Sequence, residues 1–285
     1  MHEPRVLRDA DEVGRSAAAL LLESVEVARA AGRTPVWGWP VGRTPLPVVR
    51  ALAASGADLA NLHVVLMDDY MTDAGDRVPE DDPVSCRAAA VRELLEPLRR
   101  GLGVDRAPSV DRLHSPDPHD PDATERLVVE LGGIDCFLVA VGASDGHLAL
   151  NPPGTPADSR TRIVELAEST RRDNVATWGV ASVDDVPRRG VTVGLATVTD
   201  ARRLLVVAHG AGKAEVVARL LGGEGFDADL PASVVRTHAD AVVLLDRAAA
   251  AALPADPSAS TPVPPDGPPA SAPPASVPPT PTEAS

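Results

Sequence analysis

Short apolar runs alternate with helical patterns along most of this 285-residue chain, and this alternation is the feature that most restricts its fold. Continuous apolar runs are typical of strands that are buried on both faces of a sheet, whereas apolar residues repeating every three to four positions predict amphipathic helices. Strands and helices that alternate in this way pack as a parallel sheet covered by helices. The sequence therefore predicts an α/β fold, a Rossmann-like, mostly parallel sheet with helices on both faces.

The predicted elements follow one another in this alternating order. Helices are expected at 9–31, 45–56, 82–98, 121–133 and 212–223, and strands at 34–39, 62–68, 134–142, 190–197, 201–210 and 240–246. From Pro254 onward the chain is rich in Pro, Ala, Ser and Thr and has almost no apolar bulk, a composition that cannot offset the entropy of ordering. We therefore expect one α/β domain over residues 1–253 and a disordered C-terminal tail over 254–285.

Several classes of protein are disfavoured by the composition. No apolar run approaches the roughly 20 residues of a membrane helix, and the N-terminal MHEPRVLRDADEVGR lacks the apolar core of a signal peptide. Cys86 and Cys136 are the only cysteines, too few for a disulfide framework or a cysteine zinc site. These features lead us to expect a cytoplasmic protein that makes no contact with a membrane.

The charge balance bears on the ligand. The formal net charge is −14, aromatic residues make up 2% of the chain, and no basic patch is interleaved with aromatics, so nucleic acid is not an expected partner. An acidic protein can bind an anion only through a local cationic pocket. Lys213 is the only lysine in the chain, which makes its position informative.

Four polar segments follow predicted strands and are expected to meet. In an open α/β sheet, ligands bind outside the carboxyl ends of the strands. The segments are GWPVGRTP at 38–45, MDDY at 67–70, VGASDGHLALN at 141–151 and AHGAGKAE at 208–215. The sequence therefore predicts a binding site built from these loops at one edge of the sheet.

Two of these loops have the character of an anion site. Gly42 and Thr44 precede a predicted helix, where backbone N–H groups favour an anion, although a plain strand-to-helix turn would look the same. The loop is neither a Walker A sequence nor a dinucleotide fingerprint. Lys213 at the start of the next such helix opposes the helix dipole, which is understandable if the ammonium faces a phosphate. A solvated lysine is the alternative.

The other two loops carry candidate acids and bases. Asp68 and Asp69 directly follow a buried strand, where a carboxylate serves either as a general base or as a turn cap. Asp145 and His147 are separated by one glycine, a spacing that lets a carboxylate orient an imidazole for proton transfer near neutrality. An Asp-Gly turn with an incidental histidine is the alternative, and a metal site would need more ligands than this segment shows.

Taken in order, the motifs resemble those of the glucosamine-6-phosphate deaminase/isomerase family, which shares its fold with 6-phosphogluconolactonases. The resemblance runs from about residue 9 to about residue 250 and includes PVGRTPLPVVRAL, LMDDY, VGASDGHLALNPPG, SRTR, VTVGLAT, GAGKAE and LPASVVRTH. The lactonase branch normally has Thr-Ala-Ser after its Asp-Gly-His and lacks the strand end that DDY represents here. The sequence therefore resembles the aminosugar branch more closely.

The resemblance implies roles for the candidate residues. Asp68 would move a proton between C2 and C1 of the opened sugar, and His147, partnered by Asp145, would assist opening of the pyranose ring. The 6-phosphate would be held by Gly42, Thr44 and Lys213. No metal ion and no organic cofactor is implied.

The chain also departs from the family pattern. The family has glutamate at the position of Pro152, where it completes the acid–imidazole relay, and a phosphate-binding arginine near Ala176 or Thr177. Arg43 replaces a family glycine in the phosphate loop, where it either supplies the missing cation or obstructs the site. The family's allosteric lysine is replaced by Val164, so allosteric control by an aminosugar phosphate is not expected.

We therefore expect an enzyme that acts on a phosphorylated sugar, most specifically one that isomerises and deaminates glucosamine 6-phosphate. Two alternatives remain open at this stage. One is a different activity on the same fold, either isomerisation of another sugar phosphate or hydrolysis of a 6-phosphogluconolactone. The other is a non-catalytic sugar-phosphate sensor. Assembly into a homo-oligomer is also left open.

Overall fold

The computed structural model describes residues 3–254, so the predicted tail, apart from Pro254, lies outside the described residues. The strands are β1 Arg5–Leu7, β2 Val36–Trp39, β3 His63–Leu66, β4 Asp68–Met71, β5 Leu113–His114, β6 Cys136–Ala140, β7 Arg162–Glu165, β8 Arg189–Thr192, β9 Leu204–Ala208 and β10 Ala241–Asp246. The α-helices are α1 Ala10–Ala30, α2 Leu46–Ala53, α3 Cys86–Ala90, α4 Glu96–Leu102, α5 Asp122–Glu130, α6 Glu168–Trp178, α7 Leu195–Thr199 and α8 Ala214–Leu221.

Seven strands form the central sheet, and all their pairings are parallel. Their order is β1-β10-β9-β6-β2-β3-β5. Successive side chains point to opposite faces, so that Trp37 and Trp39 enter one core while Val36 enters another. The prediction of a mostly parallel α/β sheet is confirmed.

Helices cover both faces of this sheet. On the face of Trp37 the core is completed by α1, α2 and α4, with Leu21 and Leu52 fully buried. On the opposite face α7 and α8 contribute Val198 and Val216, and α5 packs at the margin. Burial on both faces explains why the strands read as continuous apolar runs rather than as alternating ones.

A second, antiparallel sheet was not predicted. Its strand order is β4-β8-β7, and it encloses a small core of its own around Tyr70. The predicted strand 62–68 was wrong at its end, because β3 stops at Leu66 and Asp68 opens β4 of the second sheet. Strand β4 has the sequence DDYM, and because it opens with two aspartates no apolar pattern distinguishes it from a polar loop after β3.

The predicted strand 190–197 was also wrong over its second half. Strand β8 ends at Thr192, and α7 begins at Leu195. The turn between them depends on Gly194, because a Cβ at this position would lie 2.0 Å from the carbonyl oxygen of Ser159. The strand was predicted from the apolar residues alone. The sequence gives no sign of the close backbone contact at Gly194 that ends the strand.

The predicted helix 82–98 lies at 86–102 instead. Its N-cap is Ser85, whose hydroxyl accepts a hydrogen bond from the backbone N–H of Ala88. A π-helical segment, Val91–Leu95, separates α3 from α4 just before Pro97, which has no N–H to continue the α-helical hydrogen bonds. The π-helical segment and α4 pack against α2, while α3 packs against β4.

Helix α6 was not predicted at all. Among its residues only Thr170 and Arg171 are buried, so the sequence shows no apolar periodicity there. The helix ends at Gly179, which adopts a left-handed conformation with φ +67°. Within residues 3–254, none of the helices combines the length and apolar character needed to cross a lipid bilayer.

Candidate active site

A cavity of about 640 Å³ opens beyond the carboxyl ends of the central strands. Its walls come from the segments that follow β2, β3, β6 and β9, and from one side of α6. Six of the seven predicted site residues line it: Gly42, Arg43, Thr44, Asp68, His147 and Lys213. The seventh, Asp145, lies behind His147 and is hydrogen-bonded to it. The four loops therefore meet at one edge of the sheet.

Asp68 is a buried carboxylate in the cavity wall, with 7% of its surface exposed. The thiol of Cys86 donates to its Oδ1 atom at 3.4 Å. Burial raises the pKa of the Asp68 carboxyl from 3.8 to about 7, with a smaller rise from Asp69, while the Cys86 hydrogen bond and the nearby His147 lower it. A carboxylate that exchanges its proton near neutrality is well suited to general-base catalysis.

The neighbouring Asp69 faces away from the cavity and has a structural role. Its carboxylate accepts hydrogen bonds from the backbone N–H groups of Tyr70, Cys86 and Arg87. It thereby joins β4 to the first turn of α3 and satisfies donors at the start of that helix. Of the two adjacent carboxylates, the structure makes Asp68 available to a ligand and uses Asp69 to hold the chain.

His147 and Asp145 form a close pair. The Oδ1 atom of Asp145 accepts from Nδ1 of His147 at 2.6 Å and from its backbone N–H at 3.0 Å. Burial alone would raise the pKa of the Asp145 carboxyl, but the hydrogen bonds and charge of His147, together with the hydroxyl of Ser169, outweigh burial and leave this pKa well below its usual range. Asp145 is therefore ionised across the physiological range.

The imidazole of His147 packs directly against the backbone at Gly142. A Cβ at this glycine would lie 2.1 Å from Nδ1 of the ring, so no other residue fits there without displacing it. The N–H of Gly142 also donates to the carbonyl of His147 at 2.9 Å, which closes the loop between them. This loop shape explains why a glycine follows strand β6 beside the histidine.

The cationic groups Lys213 and Arg43 also line the cavity. The ammonium of Lys213 donates to the carbonyl of Val141 at 2.5 Å. Burial lowers the pKa of Lys213, while Asp173 raises it and Arg43 lowers it. Arg43 is exposed at the cavity wall and forms no ion pair with any residue from 3 to 254.

The loop that follows β2 offers backbone donors to the same space. The N–H groups of Gly42, Arg43 and Thr44 have no hydrogen-bond partner within the described part of the chain. Gly42 has a φ of +94°, and its Cβ position would lie 3.1 Å from the Thr177 side chain. Nε2 of His209 lies 3.2 Å from the carbonyl of Thr44, which joins this loop to the one after β9. Unpaired N–H groups in a cavity that Lys213 also lines are donors that an anion can use.

Helix α6 supplies cavity residues that the sequence analysis missed. Arg172, Asp173, Asn174 and Trp178 line the cavity together with Ala176 and Thr177. At the end of the helix, the indole N–H of Trp178 donates to the hydroxyl of Tyr70 at 3.2 Å. No local signal could have identified these residues, because α6 follows a short edge strand and has no apolar stripe.

Pro152 does not line the cavity. Its carbonyl accepts from the backbone N–H and the hydroxyl of Thr155, so it forms the first residue of a tight turn. The preceding Asn151 is fully buried and donates its amide to the carbonyls of Leu148 and Val193. These two residues hold the loop in place, and neither completes a proton relay.

Asp145, His147 and Asp173 offer potential metal ligands within 4.8 Å of one another. Hydrogen bonds to protein groups already engage both carboxylate oxygens of Asp145 and Nδ1 of His147. One oxygen of Asp173 likewise accepts from the backbone N–H and the hydroxyl of Ser144. The internal hydrogen bonds account for this cluster without a metal, and the expected absence of a cofactor stays a prediction.

Comparisons with known proteins agree with this arrangement. The family model for glucosamine-6-phosphate isomerases/6-phosphogluconolactonase matches residues 8–244. A glucosamine-6-phosphate deaminase of Streptomyces avermitilis is 36% identical over 245 residues, covering 84% of this chain and 89% of that protein. One of Pseudarthrobacter chlorophenolicus is 37% identical over 227 residues, covering 76% and 81% of the two chains.

Solved structures show the same fold. A monomeric glucosamine-6-phosphate deaminase superposes with a TM-score of 0.77 at 27% identity, covering 88% of this chain and 100% of that one. A 6-phosphogluconolactonase from Trypanosoma brucei superposes with a TM-score of 0.62 at 20% identity, covering 89% and 100%, which supports the fold alone. With a family model that spans residues 8–244 and relatives above 30% identity, the chain belongs to the glucosamine-6-phosphate isomerase/6-phosphogluconolactonase family.

Proposed function

We propose that this protein is an enzyme that converts glucosamine 6-phosphate and water to fructose 6-phosphate and ammonia. The observation that carries the proposal is the buried Asp68 carboxylate, whose pKa of about 7 makes it a proton acceptor in the cavity that His147 also lines. Relatives named as glucosamine-6-phosphate deaminases support the choice of substrate.

The phosphate is bound at the cationic side of the cavity. The free N–H groups of Gly42, Arg43 and Thr44 and the ammonium of Lys213 donate to its oxygens. Arg43 adds a second positive charge at the same wall. This arrangement supplies the cation that the uncharged Ala176 does not provide, and it places the sugar carbons toward the two acid–base groups.

Proton transfer follows in three steps. His147 moves a proton between the anomeric hydroxyl and the ring oxygen, which opens the pyranose to the aldehyde. Asp68 then removes the proton from C2, giving an enol that carries the amino group, and returns a proton to C1. The product is an imine at C2, and water hydrolyses it to the ketone with release of ammonia.

Lactone hydrolysis requires a base that activates water but has no use for a base that removes a carbon-bound proton. Because a carboxylate in the cavity can serve either reaction, the preference for isomerisation over lactone hydrolysis rests on the relatives named as glucosamine-6-phosphate deaminases. Burying an ionisable group destabilises the fold. An enzyme can use the buried carboxylate for proton transfer, whereas a non-catalytic sensor would have no use for it. A cytoplasmic location stays a prediction.

The test is a pair of assays, for ammonia and for ketose, over a panel of substrates. The panel contains glucosamine 6-phosphate, its C4 epimer galactosamine 6-phosphate, glucose 6-phosphate and 6-phosphogluconolactone. We expect equal amounts of ammonia and fructose 6-phosphate from the first. Ketose without ammonia would indicate a plain isomerase, acid release from the lactone would indicate a hydrolase, and binding without turnover of any substrate would indicate a sensor.

A further inference from the structure

Two hydroxyl groups at the start of α6 contact the carboxylate that supports His147. The Ser169 Oγ atom donates to Oδ2 of Asp145 at 2.5 Å, and the Thr170 Oγ1 atom donates to the same oxygen at 3.1 Å. The other oxygen, Oδ1, accepts both hydrogen bonds from His147. Asp145 therefore accepts four hydrogen bonds, two from the histidine and two from the helix, which is the full capacity of a carboxylate.

The hydrogen bond between the imidazole and Asp145 fixes the tautomer of the neutral ring. A carboxylate can only accept, so the Nδ1 atom that lies 2.6 Å from Asp145 carries the hydrogen. Nε2 is then the basic nitrogen, and it has no hydrogen-bond partner among residues 3–254. The side chain of His147 lines the cavity, so the basic nitrogen is the one available to a substrate.

Thr170 acts on both members of the pair. Besides its bond to Asp145, its Oγ1 atom lies 3.3 Å from Nδ1 of His147, where it is a second acceptor for the same ring N–H. The threonine is fully buried, so water cannot replace its hydroxyl. Removing this hydroxyl would free Oδ2 of Asp145 on one side and leave the ring N–H with a single acceptor.

We propose that Ser169 and Thr170 are positioning residues, which hold the Asp145–His147 pair in the orientation and tautomer that proton transfer requires. The catalytic part of this inference rests on the proposed function. The hydroxyls lie at the N-terminal turn of α6, where the helix dipole also favours the negative charge of Asp145. Within the described chain, neither hydroxyl is hydrogen-bonded to its own helix, in contrast to serine and threonine residues that only cap or bend a helix.

Other contacts hold α6 in place, so the two hydroxyls are not needed to dock it. Asp173, one turn later, accepts from both the backbone N–H and the hydroxyl of Ser144. Arg171 donates to the carbonyls of Val183 and Val186 on the other side of the helix. We therefore expect variants that lack a single hydroxyl to fold with α6 in its native position.

The experiment compares Thr170→Val and Ser169→Ala with a matched control, Thr199→Val. Thr199 is also a helical threonine, but its hydroxyl donates only to carbonyls of its own helix, Leu195 and Ala196. We expect kcat for glucosamine 6-phosphate to fall about 10-fold in Thr170→Val with KM within about twofold, as for other residues that orient a reactive side chain. Thr170→Ser, which keeps the hydroxyl, should restore kcat.

A second readout does not need the enzyme to be active. Two-bond ¹H–¹⁵N correlation spectra at pH 8 distinguish the two neutral tautomers of His147. Wild type and Thr199→Val should show only the Nδ1–H form, whereas Thr170→Val, in which the Asp145 carboxylate is free to turn away from Nδ1, should show a mixture. If wild type does not release ammonia, the proposed function fails and the tautomer comparison alone decides this inference.

The inference is overturned if Thr170→Val and Ser169→Ala match Thr199→Val in both kcat and the His147 tautomer. It is also overturned if kcat falls equally in Thr170→Val and Thr170→Ser, because the hydroxyl would then not be the group responsible. Should Thr170→Val fail to fold by circular dichroism, Ser169→Ala carries the same comparison, since Ser169 is only half-buried.

Discussion

Replacing Asp68 by asparagine separates the cost of burying this carboxylate from its use in proton transfer. Asp68 is 7% exposed, and burial raises its pKa from 3.8 to about 7. An amide is close in size to a carboxyl group and carries no charge. We therefore expect the variant to be more stable than wild type at neutral and alkaline pH, and less active at every pH.

The size of the stability difference follows from the two pKa values. The folded state binds the proton of Asp68 more tightly than the unfolded chain, so ionisation of this residue destabilises the fold. The cost is absent below pH 3.8, grows as the pH rises toward 7 and is constant above. Since each tenfold change in proton affinity corresponds to about 1.4 kcal/mol, Asp68→Asn should raise the free energy of unfolding by about 4 kcal/mol at pH 8 and by about 2 kcal/mol at pH 5.

The assay is urea unfolding of wild type and Asp68→Asn at both pH values, with turnover measured on the same preparations. Asp81→Asn is the matched control, because Asp81 is exposed and should show no difference at either pH. Loss of a general base should lower kcat by about 100-fold or more. An equal stability difference at pH 5 and pH 8 would refute the burial argument, and unchanged turnover would refute the role as a base.

Three further substitutions test the cavity. Cys86→Ala removes a donor that lowers the pKa of Asp68. The acid limb of the plot of kcat/KM against pH should therefore move to higher pH by as much as about one unit. An unmoved limb would count against the contact. Lys213→Ala should weaken binding of glucosamine 6-phosphate by about 10- to 100-fold in calorimetry, because a charge-assisted hydrogen bond to phosphate is lost. Equal affinity in wild type and variant would exclude Lys213 as a phosphate ligand. Gly142→Ala should displace His147 and lower kcat at least about 100-fold in a protein with a native circular dichroism spectrum, and normal turnover would contradict the packing argument.

The sequence was most informative about the central sheet and the edge at which ligands bind. Buried parallel strands produce continuous apolar runs, and the carboxyl ends of parallel strands meet at one edge whatever the length of the helices between them. The order of strands and helices along the chain is therefore enough to predict that the loops at 38–45, 67–70, 141–151 and 208–215 meet.

Helix α6 and the second sheet could not be predicted, for two different physical reasons. Helix α6 is held by polar contacts such as those of Arg171 and Asp173, which leave no periodic apolar pattern in the sequence. Strand β4 begins two residues after β3 ends and opens with Asp68 and Asp69, so no apolar pattern marks it as a strand of a second sheet. The supporting hydroxyls of Ser169 and Thr170 were missed for the same reason as α6 itself.

Pro152 shows how the polar contacts of α6 change the interpretation of the site. The family resemblance places a carboxylate at this position to complete the relay, and proline cannot take that role. In the structure the Asp145 carboxylate already accepts four hydrogen bonds, and two of them come from Ser169 and Thr170. The ionised Asp145 has no hydrogen to donate to a further carboxylate. Such a carboxylate would only add a second negative charge beside it.

The number of hydrogen-bond donors around each carboxylate assigns the roles of the aspartates. Asp145 accepts four hydrogen bonds and stays ionised, so it can orient His147 but cannot take up a proton. Asp68 is more deeply buried and accepts only from the weak donor Cys86 among the described residues, so its ionised form is poorly stabilised and its proton exchanges near pH 7. A group that must gain and lose a proton during turnover needs this lack of donors, because each added donor would favour the charged form and make the base weaker. In the proposed mechanism, Asp68 can therefore exchange a proton near neutrality because it is buried and has a single weak donor, whereas the hydrogen bonds to Asp145 keep that carboxylate ionised.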